Sequence, residues 1–146
     1  MHTNNNRAVE ITLVNQLGYE RIAMACSASF AQLFGFPKNR IEDLKTIVSE
    51  ASINAMQHGN KGRNDAKVKV SLSCVEDIIN VQVSDEGSGI EEFPPNPDIE
   101  NIIEGREPLI GFGLFLIKQL TDRVEFNKMT GKGNMVNMSI NMKEQV

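Results

Sequence analysis

The stretch Ile41-Glu-Asp-Leu-Lys-Thr-Ile-Val-Ser-Glu-Ala-Ser-Ile-Asn-Ala-Met-Gln-His-Gly59 tells most about the fold. Asn39 as an N-cap, with Glu42 three residues later, predicts a capping box at the start of a helix that runs to about His58. Gly59-Asn60-Lys61-Gly62 predicts its end. Apolar side chains recur along this segment at helical spacing and predict a face that packs into the core: Leu44, Ile47, Val48, Ala51 and Ala55.

A polar stripe runs beside that apolar face. Glu50, Asn54 and His58 are four residues apart, so they lie along one side of the predicted helix. A carboxylate one turn from an amide can align a nucleophile, and the amide oxygen can bind Mg²⁺, which prefers hard oxygen donors. The same spacing is also typical of an ordinary solvated helix face, and spacing alone leaves both interpretations open.

An acidic residue between a strand and two glycines is the second candidate. It lies in Val83-Ser-Asp85-Glu-Gly87-Ser-Gly89-Ile90. The carboxylate of Asp85 can accept a hydrogen bond from an exocyclic amine such as that of adenine. Gly87 and Gly89 would let the backbone approach a flat ring closely or adopt positive φ. An ordinary Asp-Gly turn is the alternative interpretation.

A glycine pair at the head of a helix is the third candidate. Gly111-Phe-Gly113-Leu114 follows a long loop over residues 85–110, which holds at most a short helix around Ile99 to Glu104. Loops of this length in compact domains are usually functional or mobile. Unpaired N–H groups at a helix N-terminus attract phosphate, although the pair is equally consistent with a plain helix start.

The remaining patterns predict the order β, α, α, β, β, long loop, α, β, β. Alternating apolar residues predict strands, and helical spacing predicts a helix from about Gly18 to Phe34 and another from Gly111 to about Thr121. The order indicates an α+β fold: a two-layer α/β sandwich with a mixed, mostly antiparallel sheet and helices on one face. The predicted strands are residues 9–14, 67–74, 78–84, 123–128 and 135–142, the second and third joined by a hairpin at Val75-Glu76-Asp77.

Composition bounds the class of protein. The 146 residues predict one domain over residues 8–146, with a flexible N-terminus at residues 1–7. A net charge of −4 with 15 Lys and Arg argues against non-specific nucleic-acid binding. No apolar run approaches the roughly 20 residues that span a bilayer, and the N-terminus has no signal-peptide core, so we expect no membrane association and a cytoplasmic location. Cys26 and Cys74 are expected to be buried free thiols.

The three motifs, in this order, resemble the GHKL superfamily, whose ATP-binding fold is shared by gyrase, Hsp90-type chaperones, histidine kinases and MutL. The resemblance covers about residues 9–142 and implies the GHKL (Bergerat) form of the two-layer sandwich. Within the superfamily the chain resembles the small bacterial anti-sigma factors that are also serine kinases. Residues 41–59 are similar to their N box, and residues 111–122 are similar to their second glycine box.

The resemblance implies a role for each candidate residue and two cofactors, ATP and Mg²⁺. Glu50 would be the catalytic base that orients the attacking hydroxyl, and Asn54 would be the Mg²⁺ ligand. Asp85 would bind adenine. Gly87 and Gly89 would shape the adenine pocket. Gly111 and Gly113 would hold the phosphates, and Leu114 would lie beside them in the nucleotide site.

The resemblance also implies a function and partners. By this resemblance the chain would be an anti-sigma factor and serine/threonine-protein kinase that uses Mg-ATP to phosphorylate an anti-anti-sigma protein, binds a sigma factor and forms a homodimer. One alternative is a regulator that binds nucleotide without kinase activity. Another is a detached histidine-kinase ATPase module. The sequence shows no dimerisation helix with a phosphoacceptor histidine, which argues against this alternative.

The last glycine box departs from the family pattern. It commonly contains a Gly-Thr pair, where this chain has Gly133-Asn134, whose amide would substitute for the hydroxyl. Lys61 and Arg106 are cations that the sequence does not place relative to the γ-phosphate.

Overall fold

The structure is a computed structural model that describes residues 7–87, 109–129 and 133–143. Gly89, Arg106 and the short helix predicted around residues 99–104 lie outside the described residues. The elements follow the predicted order: β1 (Ala8–Val14), α1 (Glu20–Leu33), α2 (Lys38–Asn54) with a π-helical turn (Ala55–Gly59), β2 (Lys67–Val75), β3 (Ile78–Ser84), α3 (Leu109–Leu120), β4 (Arg123–Met129) and β5 (Gly133–Asn141).

The five strands form one sheet in the order β1-β2-β3-β5-β4. All four pairings between the described strands are antiparallel. The predicted α+β sandwich is therefore confirmed, with the correction that the described sheet is wholly antiparallel rather than mixed. Each neighbouring pair except β3–β5 consists of consecutive strands, although α1 and α2 lie between β1 and β2 in the chain. The β3–β5 pairing leaves β4 at the edge opposite β1.

One face of the sheet forms the core. Strand side chains alternate between faces, so every second residue points toward the helices. In the central strands the inward residues are fully buried, and the register sets Val81 opposite both Leu72 of β2 and Met138 of β5. The neighbouring outward residues are polar, among them Asn80 and Gln82. The helices consequently cover one face only, which gives two layers.

Helix α2 begins differently from the prediction. Pro37 is its N-cap, with φ −72° and ψ 159°, and the carbonyl of Pro37 accepts the N–H groups of Arg40 at 3.1 Å and Ile41 at 3.0 Å. No side-chain cap is made, so the predicted capping box is wrong and Asn39 lies in the first turn. The proline ring fixes φ at this N-cap, and proline has no side-chain oxygen that could accept an N–H of the first turn.

A π-helical turn ends α2. The N–H of Asn60 donates to the carbonyl of Ala55, five residues earlier, at 2.7 Å. Lys61 and Gly62 then take positive φ values of 53° and 70°, which end the helix. The helix terminus is confirmed near His58, but its π geometry was not predicted. Such turns occur frequently at functional sites.

A buried arginine joins the start of α2 to the far end of the sheet. Arg40 is only 2% exposed. Its guanidinium contacts Asp43 at 2.7 Å and Asp122 at 2.6 Å, and its Nε donates to the carbonyl of Asn141 at 2.9 Å. These bonds connect α2, the α3–β4 junction and the end of β5.

Both cysteines are free thiols, as predicted. Cys74 is buried, but Cys26 is half-buried, which corrects the expectation that both are buried. Its position on α1 places it at the margin of the core. None of the helices in the described ranges has the length and hydropathy needed to cross a membrane.

Candidate functional site

The three predicted motifs meet in one pocket between α2, α3 and the sheet. Asn54, Asp85 and Leu114, each from a different motif, all line it. The other lining residues come from the same elements and from β4 and β5, and most are apolar: Ala51, Ala55, Gly59, Val83, Ile117, Phe126, Asn134, Met135 and Val136. A mostly apolar pocket with a few polar groups is typical of a site for a flat organic ligand.

Asp85 is the buried acid of this pocket, with 8% of its surface exposed. Its Oδ1 accepts the N–H groups of Gly87 at 3.0 Å and Asn134 at 3.1 Å. Its own N–H donates to the carbonyl of Asn134 at 3.0 Å. No hydrogen bond from a described residue engages Oδ2. One carboxylate oxygen is thus fixed by the backbone, and the other is available to a ligand.

Burial also changes the acidity of Asp85. Desolvation raises its pKa above the ordinary value of 3.8, against the opposing effects of the two backbone hydrogen bonds and the charge of Arg63. The carboxylate is therefore poorly solvated before a ligand arrives. A donor on the ligand compensates for that lost solvation.

Three glycines surround Asp85, and each lacks room for a side chain. A Cβ on Gly59 would lie 2.0 Å from Asp85 Oδ2, and one on Gly87 would lie 1.5 Å from the carbonyl oxygen of Gly59. Gly133 has φ +93°, and its Cβ would lie 2.3 Å from the carbonyl oxygen of Asp85. The sequence predicted this role for Gly87 alone. Gly59 was predicted only to end helix α2, and Gly133 was named only as part of the last glycine box.

Glu50 and Asn54 lie at the α2–α3 interface. A Cβ on Gly113 of α3 would be 2.7 Å from Glu50 Oε2 and 3.5 Å from Asn54 Nδ2. Both side chains are half-buried, and burial raises the pKa of Glu50 above the ordinary value of 4.5. Asn54 Nδ2 is buried and makes no hydrogen bond within the described part of the chain. These features are unlike those of a solvated helix face.

Helix α3 begins two residues earlier than predicted, at Leu109. Gly111 therefore lies in the first turn, where backbone N–H groups have no acceptor inside the helix. Gly113 lies beyond that turn, and its lack of a side chain leaves space in front of Glu50. Leu114 is 6% exposed and belongs to the apolar wall of the pocket.

Two buried asparagines extend the site, and the sequence indicated only Asn134, in the last glycine box. Asn134 is 7% exposed, and its Oδ1 is buried without a hydrogen-bond partner among the described residues. Asn60 is completely buried beside the Asp85 loop. A buried asparagine has no local sequence signature because its partners are distant in the chain. Of the two cations considered, Lys61 is exposed at the end of the π-helical turn.

The fold and the pocket together define a GHKL-type ATP-binding domain. The family described as "Histidine kinase-like ATPase domain" matches residues 13–140. The chain therefore belongs to the histidine kinase-like ATPase family, as the motifs predicted, and it is an ATP-using domain.

Similar proteins narrow the class. The serine-protein kinase RsbW of Oceanobacillus iheyensis is 30% identical, over 84% of this chain and 80% of that protein. The RsbW of Bacillus subtilis is 30% identical, over 88% and 82% of the two chains. The RsbW of Listeria monocytogenes serovar 1/2a is 32% identical, over 86% and 83%. The predicted likeness to the anti-sigma factor kinases is thereby confirmed.

A solved structure supports the fold. The crystal structure of the RsbU and RsbW domains of a Mycobacterium tuberculosis protein superposes with a TM-score of 0.64 at 16% identity. The match covers 92% of this chain and 32% of that one. At this identity the likeness concerns the fold alone.

Proposed function

We propose that this chain is an anti-sigma factor and Mg-ATP-dependent serine/threonine-protein kinase that phosphorylates an anti-anti-sigma protein. The observation that carries the proposal is the pairing of Glu50 with Asn54 in front of Gly113, next to the pocket that contains Asp85. A site for nucleotide binding alone needs Asp85 and the apolar walls. A half-buried carboxylate at the α2–α3 interface adds a group that can receive a proton.

Adenine is proposed to enter the apolar pocket with its exocyclic amine toward Asp85 Oδ2. The ring would lie among aliphatic and aromatic side chains, which include Leu114 and Phe126. The phosphates would extend toward the first turn of α3, where the N–H of Gly111 and the helix dipole favour negative charge. Gly113 would keep the approach to Glu50 open.

Asn54 fits the role of a magnesium ligand. Its carboxamide is half-buried and faces α3, and no described residue bonds its Nδ2, so the group can turn its oxygen toward a bound ion. The described residues hold no cluster of three or more His, Cys, Asp or Glu side chains that could bind a metal. A single protein oxygen suits Mg²⁺ that is held mainly by nucleotide phosphates and water. When bound, Mg²⁺ neutralises charge on those phosphates.

Glu50 is proposed to receive the proton of the attacking hydroxyl. As a substrate serine oxygen bonds to the γ-phosphorus, the bond from phosphorus to the β–γ bridging oxygen breaks and ADP leaves. The hydroxyl proton passes to the Glu50 carboxylate. Burial raises the pKa of Glu50, which makes its carboxylate a stronger base than that of an exposed glutamate.

Two protein partners and a homodimer complete the proposal. The unmodified anti-anti-sigma protein would release the sigma factor from this chain, and its phosphorylation would end that antagonism. A phosphoryl group adds a charge of about −1.5 to −2, which disrupts an interface by repulsion and desolvation.

The test is phosphoryl transfer by the purified chain. With Mg-ATP and an anti-anti-sigma protein, mass spectrometry should detect phosphoserine or phosphothreonine on that protein. Glu50→Gln should bind ATP with wild-type affinity, yet transfer phosphate about 10²- to 10⁴-fold more slowly. Because the base acts deprotonated, the wild-type rate should fall with decreasing pH at a higher pH than the ordinary 4.5 of glutamate.

Glu42→Gln is the matched control, because Glu42 lies exposed on the same helix and pairs only with Lys45 among the described ion pairs. It should leave transfer unchanged. Tight ATP binding by the wild type without transfer to its antagonist would reject the kinase and leave a nucleotide-binding regulator. A fully active Glu50→Gln variant would reject the role of that carboxylate.

A further inference from the structure

The side chain of Asn60 makes three hydrogen bonds in a completely buried position. Its Nδ2 donates to Asn15 Oδ1 at 3.1 Å and to the carbonyl of Lys67 at 2.9 Å. Its Oδ1 accepts the N–H of Glu86 at 2.7 Å. A single side chain therefore connects the end of the π-helical turn to β2 and to the residue that follows Asp85.

The Lys67 carbonyl and the Glu86 N–H fix which way the Asn60 amide points, and Asn15 provides a second acceptor that matches this orientation. The Nδ2 of Asn15 donates to two backbone carbonyls, that of Met56 at 3.3 Å and that of Arg63 at 2.9 Å. Carbonyls only accept, so the Nδ2 of Asn15 must face them and its Oδ1 must face Asn60. Asn60 then presents its Nδ2 to Asn15 and its Oδ1 to Glu86. The two amides form an oriented pair with no freedom to exchange oxygen and nitrogen.

The segment after α2 holds Glu86 at further points. Arg63 donates from Nη2 to the carbonyl of Glu86 at 3.2 Å. The N–H of Lys67 donates to Glu86 Oε1 at 2.8 Å. Backbone and side chain of the residue next to Asp85 are thus bound by residues 60–67. On the other side, the Asp85 carboxylate is held by Gly87 and Asn134.

We infer that Asn60, which Asn15 and Lys67 hold in place, is a positioning residue for nucleotide recognition: it fixes Asp85 relative to helix α2 so that Oδ2 meets the exocyclic amine of the base. The inference rests on the proposed adenine-binding role of Asp85. Asn60 touches neither base nor phosphate in this scheme. It acts through Glu86, and it increases the selectivity of the site for a 6-amino purine.

A purely structural role is the competing explanation, because a buried amide that satisfies backbone groups stabilises any fold. The two roles differ in what they change. Loss of stability lowers the folded fraction and weakens all nucleotides equally. Loss of positioning weakens ATP more than an analogue that lacks the 6-amino group.

The experiment measures, by titration calorimetry on the full chain, dissociation constants for ATP and for purine riboside triphosphate, which lacks that amine. The wild type should prefer ATP by about tenfold to a hundredfold, as expected for one hydrogen bond to a buried carboxylate. Asn60→Ala should lower this ratio at least about fivefold. Asn15→Ala, which removes one of the two acceptors of the Asn60 Nδ2 and leaves the bonds to Lys67 and Glu86, should lower it less.

Phe30→Leu is the control for stability, since Phe30 is a core residue of α1 outside the pocket. It should lower the melting temperature and keep the ATP preference. A folded Asn60→Ala variant that also keeps the wild-type ratio would overturn the inference. If Asn60→Ala does not fold, the Asn15→Ala ratio decides by the same criterion.

Amide hydrogen exchange in the wild-type protein provides a second test, which needs no variant. The amide proton of Glu86 should exchange with solvent slowly in the nucleotide-free protein, because Asn60 already binds it. Rapid exchange would contradict a preset Asp85. If the wild type bound ATP no more tightly than purine riboside triphosphate, both this inference and the proposed recognition of adenine by Asp85 would be overturned. If the wild type preferred ATP but transferred no phosphoryl group, only the kinase proposal would be rejected.

Discussion

For Asp85, the stability of the folded chain and the proposed binding of adenine favour different protonation states of the carboxyl group. Burial raises its pKa, so the folded state binds a proton more tightly than the unfolded chain does. The contribution of Asp85 to stability is then greatest at low pH and decreases as pH rises from the unfolded value near 3.8 up through the folded pKa. At neutral pH the buried carboxylate therefore destabilises the nucleotide-free protein, whereas the proposed binding of adenine requires it.

Replacing Asp85 with asparagine should separate the effect on stability from the effect on binding. In Asp85→Asn an amide oxygen can still accept the N–H groups of Gly87 and Asn134, while the remaining NH₂ meets the adenine amine as a second donor. We expect about tenfold to a hundredfold weaker ATP binding or worse. The nucleotide-free variant should melt higher than the wild type at pH 7, and the difference should vanish toward pH 4.

Calorimetric melting and ATP titration across this pH range provide the measurement, with the exposed Asp65→Asn as control. Wild-type ATP affinity in Asp85→Asn would show that another residue reads the base.

At the scale of elements, the contact between α2 and α3 governs the proposed chemistry. Gly113→Ala should cost the helix nothing, since alanine favours a helix by about 1 kcal/mol relative to glycine. Its methyl group, however, would lie 2.7 Å from Glu50 Oε2, and the flexible glutamate must move aside. We expect unchanged or higher stability together with a roughly tenfold or greater loss of transfer rate.

Rates at saturating ATP, compared with thermal melting, test this expectation. Gln119→Ala, an exposed position on the same helix, is the matched control. A Gly113→Ala variant as active as the control would indicate that Glu50 moves away without consequence for the reaction.

The elements themselves were largely predictable, because alternation and helical spacing are local properties of the sequence. The strands around Val70 and Val81 and the buried face of α2 follow from them, and the family match supports their arrangement. The start of α2 was mispredicted because Asn39 and Glu42 imitate a capping box. The helix begins instead after Pro37, whose carbonyl accepts the N–H groups of Arg40 and Ile41 and whose side chain makes no cap.

The candidate site was only partly predictable. Asn54, Asp85 and Leu114 were predicted from motifs, and the structure brings them to one pocket, while the roles assigned to them remain predictions. The partnership of Asn15 with Asn60 joins residues 45 positions apart, and no pattern within either segment indicates it. Long-range pairing of this kind becomes visible only when the chain has folded.

At the scale of the whole molecule, the buried Arg40 joins the start of α2 to the α3–β4 junction and to the end of β5. Asp122 accepts from Arg40 and also from the N–H of Asn141 at 2.7 Å. Among the residues that the structure describes, Asp122→Ala leaves the buried guanidinium with only Asp43 as its charged partner. We expect a loss of about 3 kcal/mol in the free energy of unfolding, as for other buried ion pairs that lose one member.

Urea unfolding provides the measurement for Asp122→Ala, with Glu42→Ala as control. Glu42 pairs with Lys45 at 3.2 Å on the surface, where such a pair contributes at most about 1 kcal/mol. If the two substitutions lowered the free energy of unfolding equally, solvent would have to reach Arg40, and its buried network would stabilise the fold no more than a surface ion pair does.

The π-helical turn makes the length of the chain between Asn54 and Asn60 as important as its composition. If one residue were deleted there and the turn became α-helical, every later side chain would rotate by about 100° around the helix axis. The Asn60 amide would then face away from Glu86, and Gly59 would leave its place against Asp85. Insertions and deletions should thus be excluded from these five residues, whereas the exposed Gln57 within them is open to substitution.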